Sequence, residues 1–190
     1  RYARSGQLEE LDAAIAAYEQ ALAATPPDSP DRPARLNNLG NGLRDRYARS
    51  GPPEELDKAI DAWQQALAVT PLDSPDRPMY LTNLGNGLRD RYARSGPPEE
   101  LDAAIAAFEQ ALAATPPDAP ARPMYLTNLG NGLHARYARS GRLEELDAAI
   151  AAYEQALAAT PPDSPDRPAI LNNLGTGLSD RYARSGALAD

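Results

Sequence analysis

A chain of 190 residues with 19 Lys plus Arg against 27 Asp plus Glu carries a net charge of -8, which disfavours a sequence-independent grip on nucleic acid, because that grip relies on neutralising phosphates. There is no cysteine, so disulfide frameworks, thiolate nucleophiles and thiolate metal sites are excluded. No apolar run approaches the length of about 20 residues that a membrane-spanning helix needs, and no signal-peptide pattern opens the sequence; the expectation is a soluble, cytoplasmic protein without membrane contact.

The hexapeptide Arg-Tyr-Ala-Arg-Ser-Gly begins at Arg1 and returns at Arg46, Arg91, Arg136 and Arg181, which divides the chain into 45-residue copies over 1–45, 46–90, 91–135 and 136–180 with a partial copy over 181–190. A fixed period of this length marks one supersecondary unit that buries its apolar face against neighbouring copies. The reading is a single elongated domain over 1–190, a fragment of a longer array, since it starts within a unit.

Within the first copy, Leu11, Ile15, Tyr18 and Leu22 with Ala14 and Ala21 form one stripe of an amphipathic helix, here termed B-type. Glu9, Glu10 and Asp12 occupy its first turn, where carboxylates complement the helix dipole. The helix stops at Thr25 before Pro26 and Pro27, because a residue preceding proline avoids the helical region. A short proline-stiffened loop follows, and Pro33 suits a first helical turn. Asp31 or Arg32 is the predicted cap. Its successors are Asp76, Ala121 and Asp166, so the third copy loses a carboxylate whose removal typically costs about 1 kcal/mol. The second, A-type helix carries Leu36, Leu39, Leu43 and Tyr47 on one stripe and ends near Ser50, with Gly51 placed for a left-handed cap. No segment alternates with period two, so strands are not expected. The order B, A repeated along the chain predicts eight helices.

Each A segment contains Leu-Gly (Leu39-Gly40, Leu84-Gly85, Leu129-Gly130, Leu174-Gly175), and each B segment runs from Ala through an aromatic to Ala-Leu and Pro, as in Ala59, Trp63, Ala66-Leu67 and Pro71. This pattern resembles the tetratricopeptide repeat. The copies are longer than that family's 34 residues and resemble its long forms, those of kinesin light chains and of bacterial arrays fused to peptidase or signalling ATPase domains. The resemblance implies an all-α fold, a right-handed α-solenoid of antiparallel helix pairs, and a role as a non-enzymatic scaffold that holds a peptide or protein segment in a groove lined by A helices.

On a helix advancing about 100° per residue, the face opposite the leucine stripe carries Ala34, Asn38, Asn41 and Asp45. Its counterparts are Met79, Asn83, Asn86 and Asp90, then Met124, Asn128, Asn131 and Ala135, then Ala169, Asn173, Thr176 and Asp180. With A helices packed about 8–10 Å apart, these side chains form a ladder of amides that meets an extended peptide, rising about 3.3 Å per residue, at roughly every third residue. An amide both donates and accepts, as a peptide bond requires. The candidate peptide-binding residues are therefore Asn38, Asn41, Asp45, Met79, Asn83, Asn86, Asp90, Met124, Asn128, Asn131 and Asn173. The competing reading is that these amides solvate a helix face or bond to neighbouring turns. The methionines lie where a soft thioether adapts to varied side chains, and local packing is the competing reading for them.

Gly-Asn-Gly at 40–42 lacks the strand and Lys-Ser/Thr of a phosphate loop. Gly40 fits close helix approach, whereas Gly42 costs helix propensity of about 1 kcal/mol for no reason visible in the sequence. Arg46 and Arg49 fit dipole and ion pairing. His134, the sole histidine, reads as a surface substitution and Trp63 as core. No nucleophile with its base, no metal site and no cofactor site is expected. Two alternatives to the scaffold remain: head-to-tail self-association into superhelices, and a sensor arm for a peptidase or ATPase outside this segment.

Overall fold

The alanine-rich B segments and the proline-started A segments each become one helix in the computed structural model, which describes residues 2–186. The B-type helices are α1 (Tyr2–Ala23), α3 (Pro53–Val69), α5 (Pro98–Ala113) and α7 (Leu143–Ala158); the A-type helices are α2 (Arg32–Ser50), α4 (Arg77–Ser95), α6 (Arg122–Ser140) and α8 (Arg167–Gly186). The expected all-α, eight-helix architecture of packed pairs is thus present, without a strand among the described residues. Two compact units divide it, α1–α4 and α5–α8. In the first, α2 packs against α1, α3 and α4; in the second, α6 packs against α5, α7 and α8.

An A-type helix therefore lies between two B-type helices, and its glycines show how closely. A β-carbon on Gly40 would stand 2.6 Å from Trp63 Nε1 of the following B helix, and one on Gly130 2.5 Å from Tyr153. A β-carbon on Gly42, Gly132 or Gly177 would stand 3.0–3.1 Å from the isoleucine of the preceding B helix, Ile15, Ile105 or Ile150. The two glycines of Gly-Asn-Gly thus serve opposite neighbours, which supplies the reason missing for Gly42. Close approach brings dispersion contacts along both seams. Trp63 is fully buried; withdrawing about 150–250 Å² of aromatic surface at about 25 cal/mol per Å² contributes about 4–6 kcal/mol of transfer free energy, well above the propensity cost of the glycine facing it.

Two cap expectations are corrected. Asp31 and Asp76 precede their helices in helical backbone geometry without a side-chain cap bond, and Ala121 adopts the same geometry. The carboxylate makes no cap, so its loss in the third copy removes none. Gly51 and Gly96 are extended, with φ near -77° and -71°, and among the described residues only Gly141 is left-handed, with φ of 70°. Pro52 and Pro97 follow the first two and push the preceding residue to the extended region, whereas Arg142 follows Gly141. Gly51 remains a requirement of space, since a β-carbon there would meet Tyr47 Cα at 2.7 Å.

Arginines bond back across the loops. The Arg77 guanidinium reaches back to donate to the carbonyls of Leu67 and Thr70, both at 3.0 Å; Arg122 does the same to Leu112 and Thr115, and Arg167 to Leu157 and Thr160. The first residue of each A helix thereby closes the orphan carbonyls at the end of the B helix before it.

Candidate functional site

The predicted A-helix face is partly exposed and partly bonded to itself. Asn38, Asn41 and Asp45 on α2 are exposed, as are Met79 on α4 and Met124 on α6, the last at 51%. Asn83, Asn86, Asp90, Asn128, Asn131 and Asn173 are half-buried. Several of these span neighbouring A helices. In the first unit, Asn83 Nδ2 donates to Asn37 Oδ1 at 2.8 Å, and Arg44 Nε donates to Asp90 Oδ2 at 2.8 Å. In the second, Asn173 Nδ2 donates to Asn131 Oδ1 at 3.1 Å, the Tyr153 hydroxyl donates to the same oxygen at 2.9 Å, and His134 Nε2 pairs with Asp180 Oδ2 at 2.8 Å.

The two ladders differ for a local reason. Asn37 is replaced in the third copy by Thr127, whose hydroxyl donates to its own helix at Pro123 O. The asparagine arriving from the next A helix turns to Asn131 instead. Bonded amides keep capacity to spare, since an Asn carries two N–H donors and an oxygen with two lone pairs. His134 is corrected from a surface substitution to a half-buried bridge between α6 and α8, in the place where Arg44 bridges α2 and α4. Asn37, buried at 4%, was not on the predicted face; the doubled Asn37-Asn38 was the available signal. Arg46, as expected, is an ion-pairing residue: it bonds Glu55 and Asp12, and the Glu55 bond in particular raises its already high affinity for the proton.

The second unit opens a groove of about 750 Å³ where α6 and α8 begin, within the range of about 300–1,000 Å³ that ligand sites occupy. Its walls are the α5–α6 and α7–α8 loops, including Pro117, Asp118, Pro161 and Asp166; its sides and floor include Met124, Asn128, Ala169 and Ile170. Met124 and Asn128 of the predicted face are thus brought together here, while the loop residues were not anticipated. Thr160 also lines the groove, held by a hydroxyl bond to Ala156 O at 2.6 Å. No group of carboxylates and histidines able to hold a metal ion occurs among the described residues. Nor is any helix among them long and apolar enough to cross a membrane.

A tetratricopeptide-repeat family model matches residues 5–28, most of α1 and the turn after it. No curated protein matches the sequence. Solved structures do match in fold. A putative kinesin light chain of Podosopora anserina with nearly identical tetratricopeptide-like repeats is 18% identical over 100% of this chain and 86% of its own, with a TM-score of 0.68. BtubC (BKLC) from P. vanneervenii is 18% identical over 95% and 70%, with a TM-score of 0.72. The Sgt2 tetratricopeptide domain from Aspergillus fumigatus is 23% identical over 84% and 85%, with a TM-score of 0.58. The fold is that of tetratricopeptide-repeat solenoids, and the resemblance read from Leu-Gly and Ala-x3-aromatic holds.

Proposed function

We propose that this tetratricopeptide-type array is a protein-interaction scaffold that holds a segment of a partner along the exposed side of its A helices. The observation that carries the reading is the open groove at Met124 and Asn128 of the second unit; in the first unit their repeat counterparts Met79 and Asn38 are exposed, as are Asn41 and Asp45. Amides offering donors and acceptors beside an apolar floor suit a peptide backbone and its side chains together. Selection of a randomised peptide display library on the purified chain tests this. Enriched peptides are expected to lose at least tenfold in affinity when Asn83→Ala and Asn128→Ala are combined, and unchanged affinity would remove the face from consideration.

A second reading, head-to-tail self-association, is favoured by one specific observation. Residues Leu8–Ala23 of α1 repeat the sequence of α7, Leu143–Ala158, without a change. In α7, Leu146, Ala149, Ala152 and Tyr153 are buried, whereas in α1 Ala17 is exposed and Tyr18 is 36% exposed. On α6, which α7 covers, Leu126 and Leu133 are 2% and 6% exposed; their equivalents on α8, Leu171 and Leu178, are 47% and 38%. A β-carbon on Gly175 meets nothing within 4 Å. The α1 helix of a second copy laid on α8 reproduces the packing of α7 on α6, a heterologous contact that does not close on itself. Light scattering should show mass rising with concentration, and Leu171→Lys with Leu178→Lys should abolish the rise. A mass that stays monomeric at every concentration rules the association out.

A further inference from the structure

The groove of the second unit is lined at a position where the repeat has exchanged a ring for an aliphatic side chain. Positions 80 and 170 are equivalent at twice the 45-residue period, and so are their surroundings. Tyr80 is buried with Leu36 and Ala66 against Leu22 and Leu67; Ile170 is buried with Leu126 and Ala156 against Leu112 and Leu157. The Tyr80 phenol is held above its usual range, by burial first and by the Asp76 carboxylate second. Asp166 is the equivalent of Asp76, and it lines the groove beside Ile170. Isoleucine fills the inner part of the site and cannot reach as far as a phenol.

The walls add charge of one sign. Asp118 and Asp166 line the groove and are exposed, and among the described residues neither carries an ion pair. The nearest cations in sequence, Arg122 and Arg167, are turned to helix carbonyls. Proline, methionine and alanine make up the rest of the apolar lining.

Resting on the scaffold reading, we propose that this groove is the specificity site for a partner segment that inserts an aromatic side chain where Tyr80 keeps its own ring in the first unit, with a lysine or arginine beside it to pair with Asp118 and Asp166. The apolar floor takes the ring, and the carboxylates at the rim select against acidic flanks, since a like charge brought to such a rim is repelled. The partner is a basic-aromatic peptide segment.

The test uses the library-selected peptides and three synthetic probes, Gly-Arg-Tyr-Arg-Gly, Gly-Arg-Ala-Arg-Gly and Gly-Glu-Tyr-Glu-Gly, read by fluorescence polarisation. Selection is expected to enrich an aromatic residue next to Lys or Arg, and the first probe is expected to bind at least tenfold more tightly than the other two. Ile170→Tyr refills the groove with a residue that the equivalent site already accommodates, and circular dichroism verifies its fold; it is expected to weaken the first probe at least tenfold. Asp118→Asn with Asp166→Asn is expected to erase the preference for basic over acidic flanks. Peptides that respond to Asn83→Ala and Asn128→Ala but bind Ile170→Tyr as tightly as the unaltered chain overturn the aromatic site and leave the scaffold standing. Failure of the library to enrich any peptide overturns both.

Discussion

Gly130 and Gly175 occupy the same position of the repeat and differ only in what faces them, so they separate intrinsic propensity from packing. A β-carbon on Gly130 would press into Tyr153, while one on Gly175 meets open space. Gly130→Ala is therefore expected to destabilise by about 1–3 kcal/mol through overpacking, and Gly175→Ala to stabilise by about 0.5–1 kcal/mol through helix propensity. Urea denaturation followed by circular dichroism reads both, and two changes of the same sign would defeat the argument. Tyr80 and Tyr125 carry a pH dependence. Burial raises both phenols, so the folded state resists forming phenolate more than the unfolded chain does. Their contribution is complete below the unfolded value of about 10 and is lost as pH rises through the higher folded values. Stability should fall above about pH 10 and fall less steeply in Tyr80→Phe with Tyr125→Phe, measured as the urea midpoint across that range.

The helix ends divide what a sequence states from what it leaves open. Proline placement announced where the A helices start and the B helices stop, and Pro33 and its equivalents do stand in the first turn. What Asp31 would do was not legible, because a capping carboxylate needs an extended backbone at its own residue, and Asp31 lies inside the Ser29–Arg32 turn in helical geometry. The work falls to the next residue. Arg122→Ala removes bonds to two carbonyls at the end of α5 and is expected to cost about 1–2 kcal/mol, whereas Asp76→Ala is expected to change stability by less than about 0.5 kcal/mol. Paired denaturation curves decide, and an Asp76→Ala loss as large as that of Arg122→Ala would restore the side-chain cap. The A-helix face was legible in the same partial sense: helical periodicity placed Asn83 and Asn128 on one side. It said nothing of register between helices, and register is what joins Asn83 to Asn37, Asn173 to Asn131 and His134 to Asp180. The reason for Gly42 was hidden likewise, because it requires knowing that a B helix lies on each side.

In a molecule built of copies, each helix draws its stability from the neighbours it touches, so protection against local opening follows from how many faces are covered. The leucines of α6 are covered and those of α8 are not, although the two helices share most of their sequence. Full burial of a leucine contributes about 1.5–3 kcal/mol relative to full exposure, so with Leu171 and Leu178 at 47% and 38% exposed the open face of α8 forgoes about 1–3 kcal/mol at these two residues. Amide hydrogen exchange at high dilution should therefore be fastest in α8 and slowest in α3 and α7, whose Trp63 and Tyr153 are buried against the A helix before each. Concentration then turns this gradient into a measure of association. If the α1 helix of a second copy settles on α8, protection of α8 amides rises with protein concentration while that of α3 and α7 does not, because binding to the folded form stabilises only what it covers. Protection of α8 that is independent of concentration removes self-association.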